Sequence, residues 1–251
     1  MNIFATRSFA LLALASVFSV TGRAIPAEIA SHDILDGLLQ RHVRDGLVNY
    51  SGFQREEALL DRYLAILETA APDKMTRNDR YAFYINAYNA WTIKLILSKY
   101  PDIRSIKDLG GLFSSPWKKK ICRLNGKLLT LDDIEHGILR PQFQDPRVHF
   151  AVICASKGCP AIRAEAYRGE ILDRQLDSAT EDFLNDPRKN HLKGDTLYVS
   201  KIFDWFEEDF QGDVPGFFLK YAGKELKAAI RQTGSRLRIA YLDYDWSLNK
   251  N

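Results

Sequence analysis

The side chains with the most chemical potential fall in one stretch, His149-Phe150-Ala151-Val152-Ile153-Cys154-Ala155-Ser156-Lys157-Gly158-Cys159-Pro160. A cysteine thiolate is a nucleophile, and a histidine can act as the base that activates it. A Gly-containing turn after an ordered segment offers backbone N–H groups that could hold an oxyanion or a carboxylate. Val148 to Cys154 is apolar, rich in β-branched residues and bounded by Asp145-Pro146 and Ser156-Lys157-Gly158, so it reads as a buried central strand. Alternation in such a strand puts Val148, Phe150, Val152 and Cys154 on one face and His149, Ala151 and Ile153 on the other. That separation disfavours a local His149/Cys154 dyad and leaves His136 as the available base. His149, Ser156, Lys157 and Cys159 are then expected to bind around the nucleophile.

Glu135 and His136 form a second group. On a helix from Leu131, with Leu131, Ile134 and Ile138 as its apolar face, Glu135 falls about 40° from the centre of that face and His136 about 140° away. A carboxylate so near an apolar edge must meet a cation or a hydrogen-bond donor, because its desolvation is otherwise uncompensated. Glu135 is therefore either a satisfied structural carboxylate or the group that orients His136, and His136 either faces water or works as a base.

The third group is a pair of asparagines. Ala82, Asn86, Asn89, Ile93 and Ile96 are spaced by alternating fours and threes along a helix and share one stripe. Apolar residues cover the remaining sides, so the helix is expected to be buried nearly all round. A buried amide without partners costs ~1–3 kcal/mol, so Asn86 and Asn89 must either knit a loop to the core or bind a ligand.

The cysteines admit other chemistry. Cys154 and Cys159, five residues apart across a turn, could close a disulfide and leave Cys122 odd. Zinc held by Cys154, Cys159 and a histidine is a weaker alternative, because the spacing is not the usual CxxC. No metal site and no cofactor are expected.

The elements that must position these groups come in an irregular order. Ser31 to Asp45 and Phe53 to Thr69 read as amphipathic helices. Thr76, with Asp79 three residues on, caps a long helix running to about Lys99 and stopping before Pro101. Lys120 to Leu129 reads as two short strands around Asn125-Gly126, suited to a type I′ turn. Thr130 to Arg140 is a further capped helix, with Asp133 in the capping position. Gly169 to Leu184 is predicted helical, His191 to Val199 a hairpin around Gly194-Asp195, and Ser200 to Phe210, Phe217 to Ala222 and Glu225 to Gln232 helical, before a closing strand at Leu237 to Asp243. This order predicts an α+β fold, a helical front end packed on a small mixed or antiparallel sheet, in a single domain over residues 25–251.

The N-terminus reads as an address. Arg7, the uncharged apolar run from Phe9 to Val20 and small residues around Gly22-Arg23-Ala24 make residues 1–24 a secretory signal peptide, so the protein is expected to be exported, periplasmic or secreted. The run is too short for the ~20 residues that span a bilayer, and no stable membrane span is expected after cleavage. Residues 1–24 carry Arg7 and Arg23 and no acid, so without them the 35 basic side chains nearly balance the 32 acidic ones. That balance points to no polyanionic partner, and Lys118-Lys119-Lys120 lacks interleaved aromatics, so no nucleic-acid binding is expected.

Several ordered blocks carry a resemblance. Tyr84-Ile-Asn86-Ala-Tyr88-Asn89-Ala-Trp-Thr92, Pro116-Trp117-Lys118, Leu131 through Glu135-His136 to Arg140, His149 to Pro160, and Tyr241 through Tyr244-Asp245-Trp246 to Asn249 together resemble the domain of unknown function 547 family, from roughly Asn78 to Asn249. Ala161 departs from the pattern, where a second proline is expected. The resemblance implies a shared fold and a shared pocket formed by the asparagine pair, Glu135-His136 and the Cys154 to Cys159 loop, and it implies no substrate, partner or cofactor. Two functions follow. One is a non-catalytic or binding role in the cell envelope, favoured because no complete set of nucleophile, base and orienter is adjacent in sequence. The other is a thiol-dependent hydrolase or acyl transferase on peptide-like or envelope substrates, with Cys154 or Cys159 as nucleophile, His136 as base, Glu135 as its orienter, and Asn86 or the Ser156-Lys157-Gly158 backbone as oxyanion donors.

Overall fold

A computed structural model describes residues 31–111 and 114–251. The expected signal peptide lies outside the described residues. Helix α1 (Asp33–His42) ends earlier than its periodicity suggests, because the chain turns through Asp45 and Gly46, both at positive φ, into a two-residue hairpin of β1 (Val43–Arg44) and β2 (Leu47–Val48). An Asp-Gly pair is a type I′ turn signal in its own right. The second predicted helix is two, α2 (Tyr50–Arg55) and α3 (Glu57–Thr69), joined at Glu56.

Helix α4 (Arg77–Leu97) is capped as predicted: the Thr76 hydroxyl accepts from the Asp79 N–H at 3.2 Å. It is buried on nearly every side and forms the axis of the larger of two hydrophobic cores. The hairpin β3 (Cys122–Leu124) and β4 (Lys127–Leu129) turns through Asn125 and Gly126, again both at positive φ. Thr130 and Asp133 then close a reciprocal capping box, each side chain accepting from the other's backbone N–H at 2.9 Å, and open α5 (Leu131–Ile134). The helix continues through a π-turn at Glu135–Leu139 into α6 (Arg140–Phe143). Pro141 has no N–H for the regular i→i−4 ladder, which gives the widening a local cause.

The predicted central strand at Val148–Cys154 is not one. Pro146–Phe150 is a 3₁₀ helix with Pro146 in its first turn and Asp145 as its cap, and residues 151–154 follow as irregular chain. The β-branched run is buried as expected, but its hydrogen bonds go elsewhere. The Val148 and Ala151 N–H groups bond three residues back. The Asn89 carboxamide then donates to the Ala151 carbonyl and accepts from the Ile153 N–H, both at 2.9 Å. One side chain takes the place of a neighbouring strand, and the alternation of faces inferred for a strand does not apply.

Helix α7 (Leu172–Leu184) leads to the sheet: β5 (His191–Lys193) and β6 (Thr196–Val199) pair antiparallel, and β7 (Arg238–Tyr241) joins β6 in parallel. Between them lie α8 (Ile202–Trp205), a 3₁₀ turn at Glu207–Phe210, α9 (Val214–Tyr221) and α10 (Lys224–Thr233). These helices and the sheet share a second core, rich in phenylalanine, with Phe150, Phe203 and Phe218 at its centre. The fold is α+β. Among the described residues no helix is long and apolar enough to cross a membrane.

Candidate functional site at the junction of the two cores

A cavity of about 220 Å³ opens where the two cores meet. The π-turn contributes Glu135 and His136, the 3₁₀ helix His149, and the loop after it Cys154 and Cys159. Helix α8 and the residue after it supply Trp205 and Phe206, and the C-terminal segment supplies Tyr244 and Trp246.

Cys154 is placed by pairing between its loop and the C-terminal segment. The Lys157 and Gly158 N–H groups donate to the Ser247 and Asp245 carbonyls at 2.8 Å, and the Asn249 N–H donates to Ala155 at 3.1 Å. Ala155 stands at φ +56° and is fully buried, a left-handed residue between the thiol and the turn. Non-glycine residues in that region carry strain and occur at functional loops. The pairing brings the Tyr244 hydroxyl to 3.1 Å from the Cys154 sulfur, and the Ser156 hydroxyl lies at 3.0 Å from it. Burial alone would push the Cys154 thiol up; hydrogen bonds from the Cys159 thiol, from the Ser156 and Tyr244 hydroxyls and from the Ser156 backbone outweigh it and lower the pKa to about 7. Cys159 moves the other way, pushed well up by burial and by the neighbouring Cys154. All three cysteines are free thiols.

His149 is buried, and its Nε2 is 2.6 Å from the Asp209 carboxylate. Arg140 donates to the same carboxylate through Nε at 2.6 Å and Nη2 at 3.0 Å, and also pairs with Glu208. Burial favours the neutral acid at Asp209, but the hydrogen bonds and charges of His149 and Arg140 prevail and hold it well below the usual carboxylate range. An ionised Asp209 can only accept, so the His149 Nε2 carries the proton and a neutral ring keeps its lone pair on Nδ1. Phe206 stacks on the ring at 4.0 Å between centroids and fixes its plane.

The other expected residues divide. Glu135 lines the cavity, buried, and accepts from the Tyr88 hydroxyl at 2.8 Å; it does not orient His136. His136 lines the same cavity but is half-exposed, with Arg140 at 2.8 Å from its Nδ1 and Asp132 at 3.9 Å from its Nε2. Glu135, His136, His149, Cys154 and Cys159 thus meet at one cavity. Asn86 and Asn89 do not line it. Asn86 is spent on Tyr167, donating to its carbonyl at 2.8 Å and accepting from its N–H at 2.9 Å, so it offers no oxyanion donor. Ser156 is buried beneath Cys154, and Lys157 faces a separate surface hollow. The Lys157 and Gly158 N–H groups, being paired with the C-terminal segment, are not available to an oxyanion either.

Asp209 was not legible as part of the site: it lies sixty residues from His149 in an acidic run, Glu207-Glu208-Asp209, that reads as a solvated turn. Tyr244 stands within a motif singled out from the sequence, but its role depends on the loop pairing. Around the mouth, Tyr244 and Trp246 pack at 4.6 Å between ring centroids and Trp205 at 4.8 Å from Tyr244, with Trp117 beyond at 6.0 Å from Trp246.

No curated protein and no solved structure matches the chain. A family model does: its description is protein of unknown function, DUF547, and the match covers residues 72–184, from the turn before α4 to the end of α7. That span holds Glu135, His136, His149, Cys154 and Cys159, while Asp209, Tyr244 and the closing Tyr241 to Asn249 block lie beyond it. The chain is a DUF547 domain-containing protein.

Proposed function

We propose that this is an exported thiol-dependent hydrolase or acyl transferase, with Cys154 as nucleophile, His149 as base and Asp209 as the group that orients His149. The observation that carries the reading is the shared cavity: a cysteine whose sulfur is met by hydrogen-bond donors, beside a buried histidine whose tautomer is set by an ionised carboxylate. Nucleophilic catalysis needs this combination of an ionisable thiol, a base and an orienter. His149 Nδ1 takes the Cys154 proton, the thiolate attacks an acyl carbon, the C–S bond forms as the bond from that carbon to the leaving nitrogen or oxygen breaks, and the imidazolium returns its proton to the departing amine or alcohol. Water or an acceptor amine then attacks the thioester with His149 taking its proton, and Cys154 is released. Tyr244 is the donor best placed to meet the oxyanion, since it already reaches the sulfur. The aromatic mouth and the expected export favour peptide-like or envelope substrates.

The test is acylation by an activated aryl ester, followed by intact mass. The protein should gain one acyl group on Cys154, and Cys154→Ala should gain none. Asp209→Asn should slow acylation by ~10²–10⁴-fold, the range for loss of correct base catalysis. Unchanged acylation in Cys154→Ala would refute the assignment. A second reading, a non-catalytic envelope protein that binds ligands, rests on the exposed Trp205 and its neighbours at the mouth. It gains ground if Cys154→Ala binds envelope fragments as well as the parent and neither acylates.

A further inference from the structure

The loop that presents Cys154 also presents a second sulfur to it. The Cys159 Sγ accepts a hydrogen bond from the Cys154 backbone N–H at 2.7 Å. Their closeness follows from the turn: Ala155 in the left-handed region reverses the chain, and the Cys159 N–H donates to the Ser156 carbonyl at 3.2 Å. The environments differ. Both line the cavity, but Cys154 is partly exposed and Cys159 is buried. Cys122 is fully buried on the β3 hairpin and does not line the cavity.

We propose that Cys154 and Cys159 form a hydroperoxide-responsive dithiol, in which Cys154 is oxidised from the cavity and Cys159 resolves it into a reversible disulfide. Susceptibility to oxidation follows thiolate character and access, and a neighbouring thiol turns the first product into a disulfide before it oxidises further. In the first step the Cys154 thiolate attacks a hydroperoxide oxygen, the O–O bond breaks, an S–O bond forms, and the departing alkoxide or hydroxide takes a proton. The Cys159 sulfur then attacks the sulfenic sulfur; the S–S bond forms, the S–O bond breaks, and the expelled hydroxide leaves as water with the Cys159 proton. A small dithiol reverses the change by thiol–disulfide exchange. Cys154 in the disulfide has no thiolate, so the acyl chemistry proposed above is switched off while the pair is closed.

Treating the purified protein with stoichiometric hydrogen peroxide, alkylating it and mapping the peptides tests this without any acyl substrate. It can therefore fail while acyl transfer holds, or hold while acyl transfer fails. Of the three thiols, Cys154 and Cys159 should be lost together into one disulfide, Cys122 should stay free, and dithiothreitol should restore both. Cys159→Ser should instead trap a sulfenic acid at Cys154, seen as a dimedone adduct. If that variant does not fold, the parent protein alone decides. Three persisting thiols, conversion of Cys154 to sulfinic acid without a disulfide, or equal oxidation of Cys122 would overturn the proposal.

Discussion

At the scale of single residues, Asn89 carries more of the site than its distance from the cavity suggests. Its carboxamide is the only partner found, among the described residues, for both the Ala151 carbonyl and the Ile153 N–H, in the segment that joins His149 to Cys154. Asn89→Ala would leave two buried backbone groups unpaired, and an unsatisfied buried group costs ~1–3 kcal/mol. A loss of roughly 2–4 kcal/mol in denaturant unfolding is expected on that basis, with less rigid placement of Cys154. A loss below about 0.5 kcal/mol would mean that water replaces the amide. Both asparagines were legible as buried amides from their helical spacing. What they bond was not, because Tyr167, Ala151 and Ile153 lie sixty to eighty residues on. The same blindness hid Asp209, whose partners His149 and Arg140 are also distant in sequence.

At the scale of elements, the sequence was most legible where the signals are local. The Thr76 cap, the Thr130 and Asp133 capping box and the Asn125-Gly126 turn are each decided within four residues and stand as predicted. The stretch from Val148 departs from the strand its sequence predicts, because burial and β-branching are common to a buried strand and to an irregular segment whose hydrogen bonds are met by a side chain. The π-turn moves Glu135 and His136 off regular helical spacing, so the angles inferred for them do not carry over. The loop bearing Cys154 and the C-terminal segment form one unit, and Gly158 packs directly against Tyr244 and Asp245. A Cβ there would come within 2.9 Å of a Tyr244 ring carbon and 3.0 Å of the Asp245 nitrogen. Gly158→Ala should therefore displace Tyr244, weaken its bond to the sulfur and slow alkylation of Cys154 at neutral pH. An unchanged rate would show that Tyr244 does not tune the thiol.

At the scale of the whole molecule, burial of polar groups ties stability to pH. His32 is packed against Tyr63 and its pKa is lowered to about 4, chiefly by burial and further by Arg168. The unfolded chain protonates this histidine near 6.5, so it binds the proton more readily than the folded one. Stability from His32 is full above that value and is lost as pH falls toward about 4, by roughly 3 kcal/mol. His32→Asn should flatten the unfolding free energy over that window; an unchanged slope would assign the acid sensitivity elsewhere. The α+β class was legible from the order of helices and strands, whereas the meeting of two cores at one cavity was not, since it depends on the C-terminal segment returning to the Cys154 loop. The most direct test of the thiol site is the pH profile of iodoacetamide alkylation at Cys154, in the native protein and in urea. The native rate should rise through an inflection near pH 7, where the folded thiol ionises, and in urea the inflection should move to about 8.5, the ordinary thiol value. A native Cys154 that alkylates no earlier than it does in urea would contradict the account.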